Sequence, residues 1–179
     1  MSLSLIATQS TDVDAANTAL LILRVTCGAM IMAHGYNHLL GGGKVAGAAS
    51  WFASMGMKPG ILHAWLATIG ELVGGALLIA GLFTPVAVAA LISEMVVALV
   101  TAHRKNGFFI FRPGQGWEYV AFIALTALSL GTLGAGSWSL DGSFDITWFN
   151  GWSGFWIALL GGLGSATGLL AVFYRPEKA

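Results

Sequence analysis

A hydrophobic hairpin with one glutamate halfway along each arm is the feature that most constrains this chain. Its arms cover residues 61–82 and 84–102, and each is long enough to cross a hydrocarbon layer of about 30 Å. Glu71 and Glu94 both lie roughly 16 Å from the turn, which places them near the bilayer midplane. An acidic side chain there costs on the order of 2.5–3.5 kcal/mol, so we expect both to point inward and to be paired, protonated or hydrated.

The composition is that of an integral membrane protein. Of the 179 residues, 56% are hydrophobic and 9% are charged, whereas soluble domains carry about 25% charged residues. The length allows one membrane domain of a few spans, and the net charge of zero gives no support for nucleic-acid binding. The single cysteine, Cys27, excludes an intrachain disulfide.

The pattern of apolar stretches predicts an all-α bundle of five membrane spans. A polar tail at residues 1–17 precedes them, and the loop after the first span carries aromatic residues and methionines that favour the membrane interface. In the hairpin, Gly81 can end one helix and Pro85 can open the next. We expect the spans at residues 18–40, 61–82, 84–102, 117–133 and 152–174.

The basic residues outside the spans all fall on one side of this topology. They are Lys44, Lys58, Arg104, Lys105, Arg112, Arg175 and Lys178. The N-terminal tail, the hairpin turn and the 134–151 loop share the other side and contain no Lys or Arg. The positive-inside rule therefore predicts an N-terminus outside and a C-terminus in the cytoplasm of a bacterial cell.

Arg24 and the two midplane glutamates are the charges placed deep inside spans. Arg24 lies roughly 9 Å below the outer boundary, so its side chain can close most of the distance to Glu71. We expect an Arg24–Glu71 pair, with Glu94 as a further member. A structural ion pair is the favoured interpretation, because it satisfies both charges without a ligand. The alternative is a site that binds an anionic or quinone-type head group or relays protons.

The four histidines are expected in the cytoplasmic half of the membrane. His34 and His38 share one helix face, His63 begins the second span and His103 ends the third. Glu118, at the start of the fourth span, arrives on the same side. These groups can ligate a metal ion or haem, or exchange protons with a quinone. Residues of different segments need not converge, so the favoured interpretation is that these are hydrated histidines at the membrane interface. A proton or quinone site is the next interpretation, and metal or haem ligation is the last.

The fifth span carries small residues four positions apart. The pairs are Gly161 with Ser165 and Gly164 with Gly168. This spacing lets helix backbones approach closely, so these residues are predicted to form a packing face. Because four spans can already close a bundle, we expect the face to contact a partner.

Several motifs, in order along about residues 18–142, resemble the DoxX family of bacterial membrane proteins. They are Arg24 with His34-Gly35, the run from Gly70 to Gly75, the turn from Gly81 to Pro85, His103 with Gly107-Phe108-Phe109, Glu118, and the run from Gly136 to Asp141. The resemblance implies a four-helix membrane bundle, with residues 143–179 adding a loop, a fifth span and a cytoplasmic tail. It places the family's polar signature on Arg24, His34, Glu71, His103 and Glu118. His38 stands where members often have a lysine.

The resemblance also implies a link to redox chemistry. The family takes its name from a subunit of thiosulfate:quinone or quinol oxidation, and some actinobacterial members are linked to a membrane oxidoreductase complex with superoxide dismutase and a sulfurtransferase. We therefore expect an accessory subunit of an oxidoreductase or respiratory-type complex in the bacterial cytoplasmic membrane, with lipid and other membrane subunits as partners.

Two other functions stay open at this point. The first is a quinone-linked oxidoreductase component with quinone as its cofactor, although the chain has no cysteine pair, flavin motif or firm haem-ligand pattern to carry electrons. The second is a small-molecule or lipid transporter, although no clear internal repeat or broken-helix pattern is found.

Overall fold

The computed structural model of this chain is an all-α membrane bundle, which confirms the predicted fold class. It describes the backbone of residues 3–176 and the side chains of residues 12–176. The helices of this part of the chain are α1 (Leu3–Leu40), α2 (Lys44–Ser54), α3 (Gly60–Ala80), α4 (Thr84–Ala98), α5 (Glu118–Leu133), α6 (Leu140–Ser143) and α7 (Trp152–Phe173). A π-helical turn (Leu99–His103) and a 3₁₀ turn (Arg104–Asn106) extend α4.

Four helical stretches in the described residues are long and apolar enough to cross a membrane. They are Asp12–Leu40, Gly60–Ala80, Thr84–Asn106 and Trp152–Phe173. The fifth apolar helix, α5, has 16 residues and extends only about 24 Å. The chain is thus a multi-pass membrane protein, with one apolar helix shorter than the others.

Helix α1 begins well before the predicted first span. It covers Leu3–Leu40, so the helix continues through residues 3–17, which the sequence predicts as a separate tail. At about 1.5 Å per residue its 38 residues measure about 57 Å, nearly twice a hydrocarbon thickness of about 30 Å. The polar N-terminal part of α1 therefore extends beyond the hydrocarbon layer.

Close glycine contacts set the antiparallel register of α1 on α3. A Cβ atom added to Gly28 would lie 2.6 Å from the carbonyl oxygen of Gly75, and one added to Gly75 would lie 2.6 Å from that of Gly28. Farther along, a Cβ on Gly35 would lie 2.9 Å from Leu72. Larger side chains at these positions would push the two helices apart, so the glycines fix which residues of α1 face which residues of α3.

The hairpin between α3 and α4 forms as the sequence predicts. Gly81 ends α3 in the left-handed conformation (φ 64°), and Pro85 lies in the first turn of α4. The start of α4 is capped from a distant segment, because the carboxylate of Asp141 accepts hydrogen bonds from the backbone N–H of Phe83 (2.8 Å) and of Thr84 (3.0 Å). The Thr84 hydroxyl donates to the same carboxylate (2.9 Å). Asp141 thus joins α6 to the hairpin turn.

Helix α7 packs on its own bundle, against α4 and α5. Its buried residues repeat every four positions and are Gly154, Ala158, Gly162 and Ala166. A Cβ on Gly162 would lie 2.6 Å from Ile92, so this contact requires glycine. The predicted packing face is instead exposed, and it consists of Gly161, Gly164, Ser165 and Gly168. The stripe that α7 buries in its own bundle is therefore the neighbouring one, and the expectation that the exposed face contacts a partner stays a prediction.

The basic residues outside the membrane spans gather at one end of the bundle, which we call the basic end. The described ones are Lys44, Lys58, Arg104, Lys105, Arg112 and Arg175; Lys178 lies outside the described residues. Backbone hydrogen bonds join the loop after α2 to the end of α7 there, from Lys58 N–H to Phe173 (3.1 Å) and from Arg175 N–H to Gly56 (2.7 Å). Asp141 and the hairpin turn lie at the opposite end.

Candidate functional site

One cavity of about 570 Å³ brings together most of the polar residues singled out in the sequence. Glu71 and Glu94 line it together with all four histidines, which are His34, His38, His63 and His103. Most of the remaining wall is apolar and includes Met30, Ile31, Phe52, Leu66, Val120 and Ile123. We call this space the histidine cavity. Its volume lies within the range of about 300–1,000 Å³ that is typical of small-molecule sites.

His38 and Glu71 lie in contact inside the histidine cavity. The Nδ1 atom of His38 lies 3.2 Å from Oε2 of Glu71, but the two atoms are not aligned for a hydrogen bond. The Thr68 hydroxyl donates to the carbonyl oxygen of Ala64 (2.6 Å) and lies 3.4 Å from the same His38 nitrogen. Phe52 of α2 meets the His38 ring edge-on at 6.3 Å between ring centroids. Helix α2 therefore covers this pair of side chains.

Three buried polar atoms around the cavity have no hydrogen-bond partner in the described residues. They are Nε2 of His63, Oε2 of Glu71 and Oε2 of Glu94. A buried polar atom without a partner costs about 1–3 kcal/mol, and most such atoms in native proteins are paired. The three atoms come from α3 and α4 and line one space. Their grouping suits a molecule that offers several polar atoms within an otherwise apolar pocket.

Gly70 makes room for the carboxylate of Glu94. A Cβ atom on Gly70 would lie 2.8 Å from Oε1 of Glu94. The Glu94 side chain therefore rests against α3 at Gly70, the residue that precedes Glu71. The two carboxylates thus come from the two arms of the hairpin and meet at one level of the bundle. Gly70 opens the run from Gly70 to Gly75 noted in the sequence, but that run did not indicate its contact with Glu94.

His103 and Tyr119 form a hydrogen-bonded pair in the cavity wall. The Nδ1 atom of His103 lies 2.9 Å from the carbonyl oxygen of Gln115, and its Nε2 atom lies 2.7 Å from the hydroxyl of Tyr119. A carbonyl oxygen only accepts hydrogen bonds, so Nδ1 carries a proton, and in the neutral ring Nε2 accepts from Tyr119. His103 ends the π-helical turn, and such turns occur often at functional sites. No signal in the sequence marks Tyr119, since a single tyrosine near an interface is common in membrane proteins.

Arg24 lies outside the histidine cavity and does not form the predicted pair with Glu71. Its guanidinium donates to the backbone carbonyls of Ile79 (3.0 Å), Leu78 (3.4 Å) and Trp138 (2.6 Å). Ile79 and Leu78 lie in the last turn of α3, where carbonyl groups lack helical partners and favour a cation. The register of α1 on α3 places Arg24 beside this helix end, about two turns from Glu71.

Glu118 also lies outside the cavity. Its Oε1 atom accepts a hydrogen bond from the backbone N–H of Ile110 (2.9 Å), which anchors the loop between α4 and α5. The predicted cluster is therefore assembled for the four histidines but not for Glu118. The described residues contain no group of three or more His, Cys, Asp or Glu side chains that could hold a metal ion.

Comparison with known families gives one result. Residues 19–104 match the family model described as DoxX. This segment is similar to the DoxX family. The DoxX segment contains all four histidines and both midplane glutamates, whereas Tyr119, Asp141 and α7 follow it. The family match thus supports the predicted resemblance over 19–104 and ends before its last two motifs, at Glu118 and Asp141. Neither the curated proteins nor the solved structures gave a match.

Proposed function

We propose that this DoxX-family membrane protein binds a lipid-soluble quinone or quinol in the histidine cavity and serves as a subunit of a membrane oxidoreductase assembly. The observation that carries the proposal is the grouping of unpartnered atoms of His63, Glu71 and Glu94 in one largely apolar cavity. A quinone has an apolar ring and tail with polar oxygens at opposite edges of the ring. Its shape and chemistry therefore match a pocket of this kind.

The charged residues have complementary roles in this proposal. The carboxylates of Glu71 and Glu94 accept hydrogen bonds from the hydroxyls of a quinol, and an imidazole N–H donates to the carbonyl oxygens of a quinone. Nδ1 of His38 lies 3.2 Å from Oε2 of Glu71, so two groups that can each take up a proton lie side by side at the proposed head-group site. A bound quinone supplies the two-electron chemistry, so this chain's own residues bind the head group and hold its protons.

The assembly partner carries the electrons in this account. Oxidation of a quinol releases two protons and two electrons, and the electrons require a redox cofactor of another subunit. The accessory role expected from the family resemblance and the quinone site are therefore one proposal: this subunit binds the quinone and its partner transfers the electrons. We further propose that the protein lies in the bacterial cytoplasmic membrane with its basic end in the cytoplasm.

Quinone binding is testable with the purified protein in lipid nanodiscs. Trp51 lines the histidine cavity, so ubiquinone-1 bound there should quench tryptophan fluorescence in a saturable way. The Glu71→Gln variant replaces the proposed carboxylate acceptor by a neutral amide. A hydrogen bond to a charged group contributes roughly 1.5–3 kcal/mol, so the substitution should weaken ubiquinone-1 binding about 10–100-fold.

Glu118→Gln is the matched control for this experiment. It removes the same charge outside the cavity and should bind ubiquinone-1 within about two-fold of the wild type. Equal binding by wild type and Glu71→Gln, or quenching that never saturates, would refute the quinone site. Absence of redox subunits from the protein purified in mild detergent would refute the assembly while leaving the quinone site standing.

A further inference from the structure

A second cavity of about 670 Å³ lies at the basic end of the bundle. It is enclosed by the end of α2, the turns after α4, the loop at Gly114-Gln115 and the chain just after α7. The charged side chains in its lining are Arg104 and Lys105, beside the imidazole of His103, and none of the described lining residues is acidic. We call this space the basic cavity. Its charge favours an anion.

The two cationic residues are presented by a braced turn. The side-chain amide of Asn106 donates to the carbonyl oxygens of Ala102 (2.9 Å) and Gly114 (2.6 Å), which fastens the 3₁₀ turn to the loop opposite. Neither Arg104 nor Lys105 donates a side-chain hydrogen bond to a described protein acceptor. Arg175 differs, because its guanidinium already binds two backbone carbonyls nearby. Arg104 and Lys105 are therefore available to a ligand.

The wall beside the two cations is apolar and aromatic. Trp51, Met55 and Val100 line the basic cavity, and Trp51 is 51% exposed. Tryptophan is enriched where lipid head groups meet the hydrocarbon layer, and basic residues at this level attract anionic lipids. A cationic wall next to an apolar one fits an amphiphile with an anionic head better than it fits a free anion, which gains nothing from the apolar wall.

We infer that the basic cavity binds the phosphate group of an anionic phospholipid through Arg104 and Lys105. The two cavities adjoin, since Trp51, Met55, Thr101 and His103 line both, but Arg104 and Lys105 line only the basic cavity. The lipid site assigns a function to the basic turn after α4 that the quinone proposal leaves unused. The lipid's acyl chains lie along the apolar wall, and its head group lies at the level of the turn.

Native mass spectrometry and lipid-binding titrations with the full chain test this inference. The probes are phosphatidylglycerol and phosphatidylcholine, each offered to detergent-solubilised protein. Each basic residue contributes roughly a five-fold preference for an anionic lipid, so Arg104→Gln/Lys105→Gln should weaken phosphatidylglycerol binding on the order of 25-fold. Lys58→Gln/Arg112→Gln removes the same charge at the basic end outside the cavity and should change binding less than about two-fold.

Three results would overturn the site. Equal losses in the two double variants would show a general surface-charge effect, and equal binding of the two lipids by the wild type would show an apolar groove without phosphate recognition. Displacement of phosphatidylglycerol by equimolar inorganic phosphate would show a site for free phosphate and not for lipid. Lys105→Ala alone, with an expected loss of about five-fold, provides the test should the double variant fail to fold.

Discussion

Replacing Arg24 by methionine tests the contacts that join α1 to the end of α3 and to the segment before α6. Methionine keeps much of the side-chain length but removes every donor. The shorter contacts of Arg24, to Ile79 (3.0 Å) and Trp138 (2.6 Å), are the ones that contribute most. Arg24 is 1% exposed, so water cannot replace the lost donors. The substitution also leaves the buried Asp141 without a nearby opposite charge.

The expected loss follows from these contacts. A hydrogen bond to a charged group contributes roughly 1.5–3 kcal/mol, so two of them amount to about 3–6 kcal/mol. Avoiding the burial of an ion returns part of this sum, so the expected overall cost is about 3–5 kcal/mol. For a chain of this size that free-energy loss lowers the midpoint of thermal unfolding by roughly 6–20 °C.

Thermal unfolding in detergent, followed by tryptophan fluorescence, measures this effect. Lys58→Met is the matched control, since Lys58 is exposed at the basic end, and it should shift the midpoint by less than about 2 °C. A loss below about 1 kcal/mol for Arg24→Met would contradict the assignment. In a double-mutant cycle with Glu71→Gln the two losses should add within about 0.5 kcal/mol, and a larger coupling would restore the Arg24–Glu71 pair.

Two further substitutions test the packing of the bundle. Asp141→Asn replaces one acceptor of the α4 cap by a donor that faces backbone N–H groups, and it should cost about 1–3 kcal/mol in the same unfolding assay; a neutral result would refute the cap. Gly162→Leu should lower the free energy of unfolding by about 1–3 kcal/mol or more, because the larger side chain overpacks against Ile92. Gly164→Leu is the control: no atom lies within 4 Å of a Cβ added there, so its effect should stay within about 0.5 kcal/mol. Equal effects of the two variants would contradict the observed orientation of α7.

The hairpin could be predicted from the sequence because its signals are local. Gly81 and Pro85 mark a helix end and a helix start, and the distances of Glu71 and Glu94 from the turn determine their depth. Both carboxylates lie in the cavity wall at one level of the bundle, as that depth implies. The length of a helix and the depth of a residue in it depend on the rise per residue, which is the same in every α-helix.

The partners of the charged residues could not be predicted in the same way. Depth alone allows Arg24 to approach Glu71, but the register of α1 on α3 depends on the close contact of Gly28 with Gly75. That contact places Arg24 beside the carbonyls at the end of α3 and brings His38 to Glu71. Rotation of a helix about its axis is equally hard to predict when small residues are frequent, so the sequence alone did not identify Gly154, Ala158, Gly162 and Ala166 as the stripe that α7 buries in its own bundle.

The convergence of the histidines is a tertiary effect. His34 and His38 share a helix face by spacing, but His63 and His103 reach the same cavity only because α3 and α4 are packed between α1 and α5. The sequence therefore indicated the residue types of the candidate site and the half of the membrane in which they lie. Their arrangement around one cavity could be seen only in the structure.

The most direct test of the account is the quinone content of the protein purified from its native membrane. Organic extraction followed by mass spectrometry should find close to one quinone per chain in the wild type and in Glu118→Gln, and about a tenth of that amount or less in Glu71→Gln, in line with a loss of roughly 1.5–3 kcal/mol. A wild-type protein without quinone, or equal quinone content in all three proteins, would contradict a quinone site built on the histidine cavity.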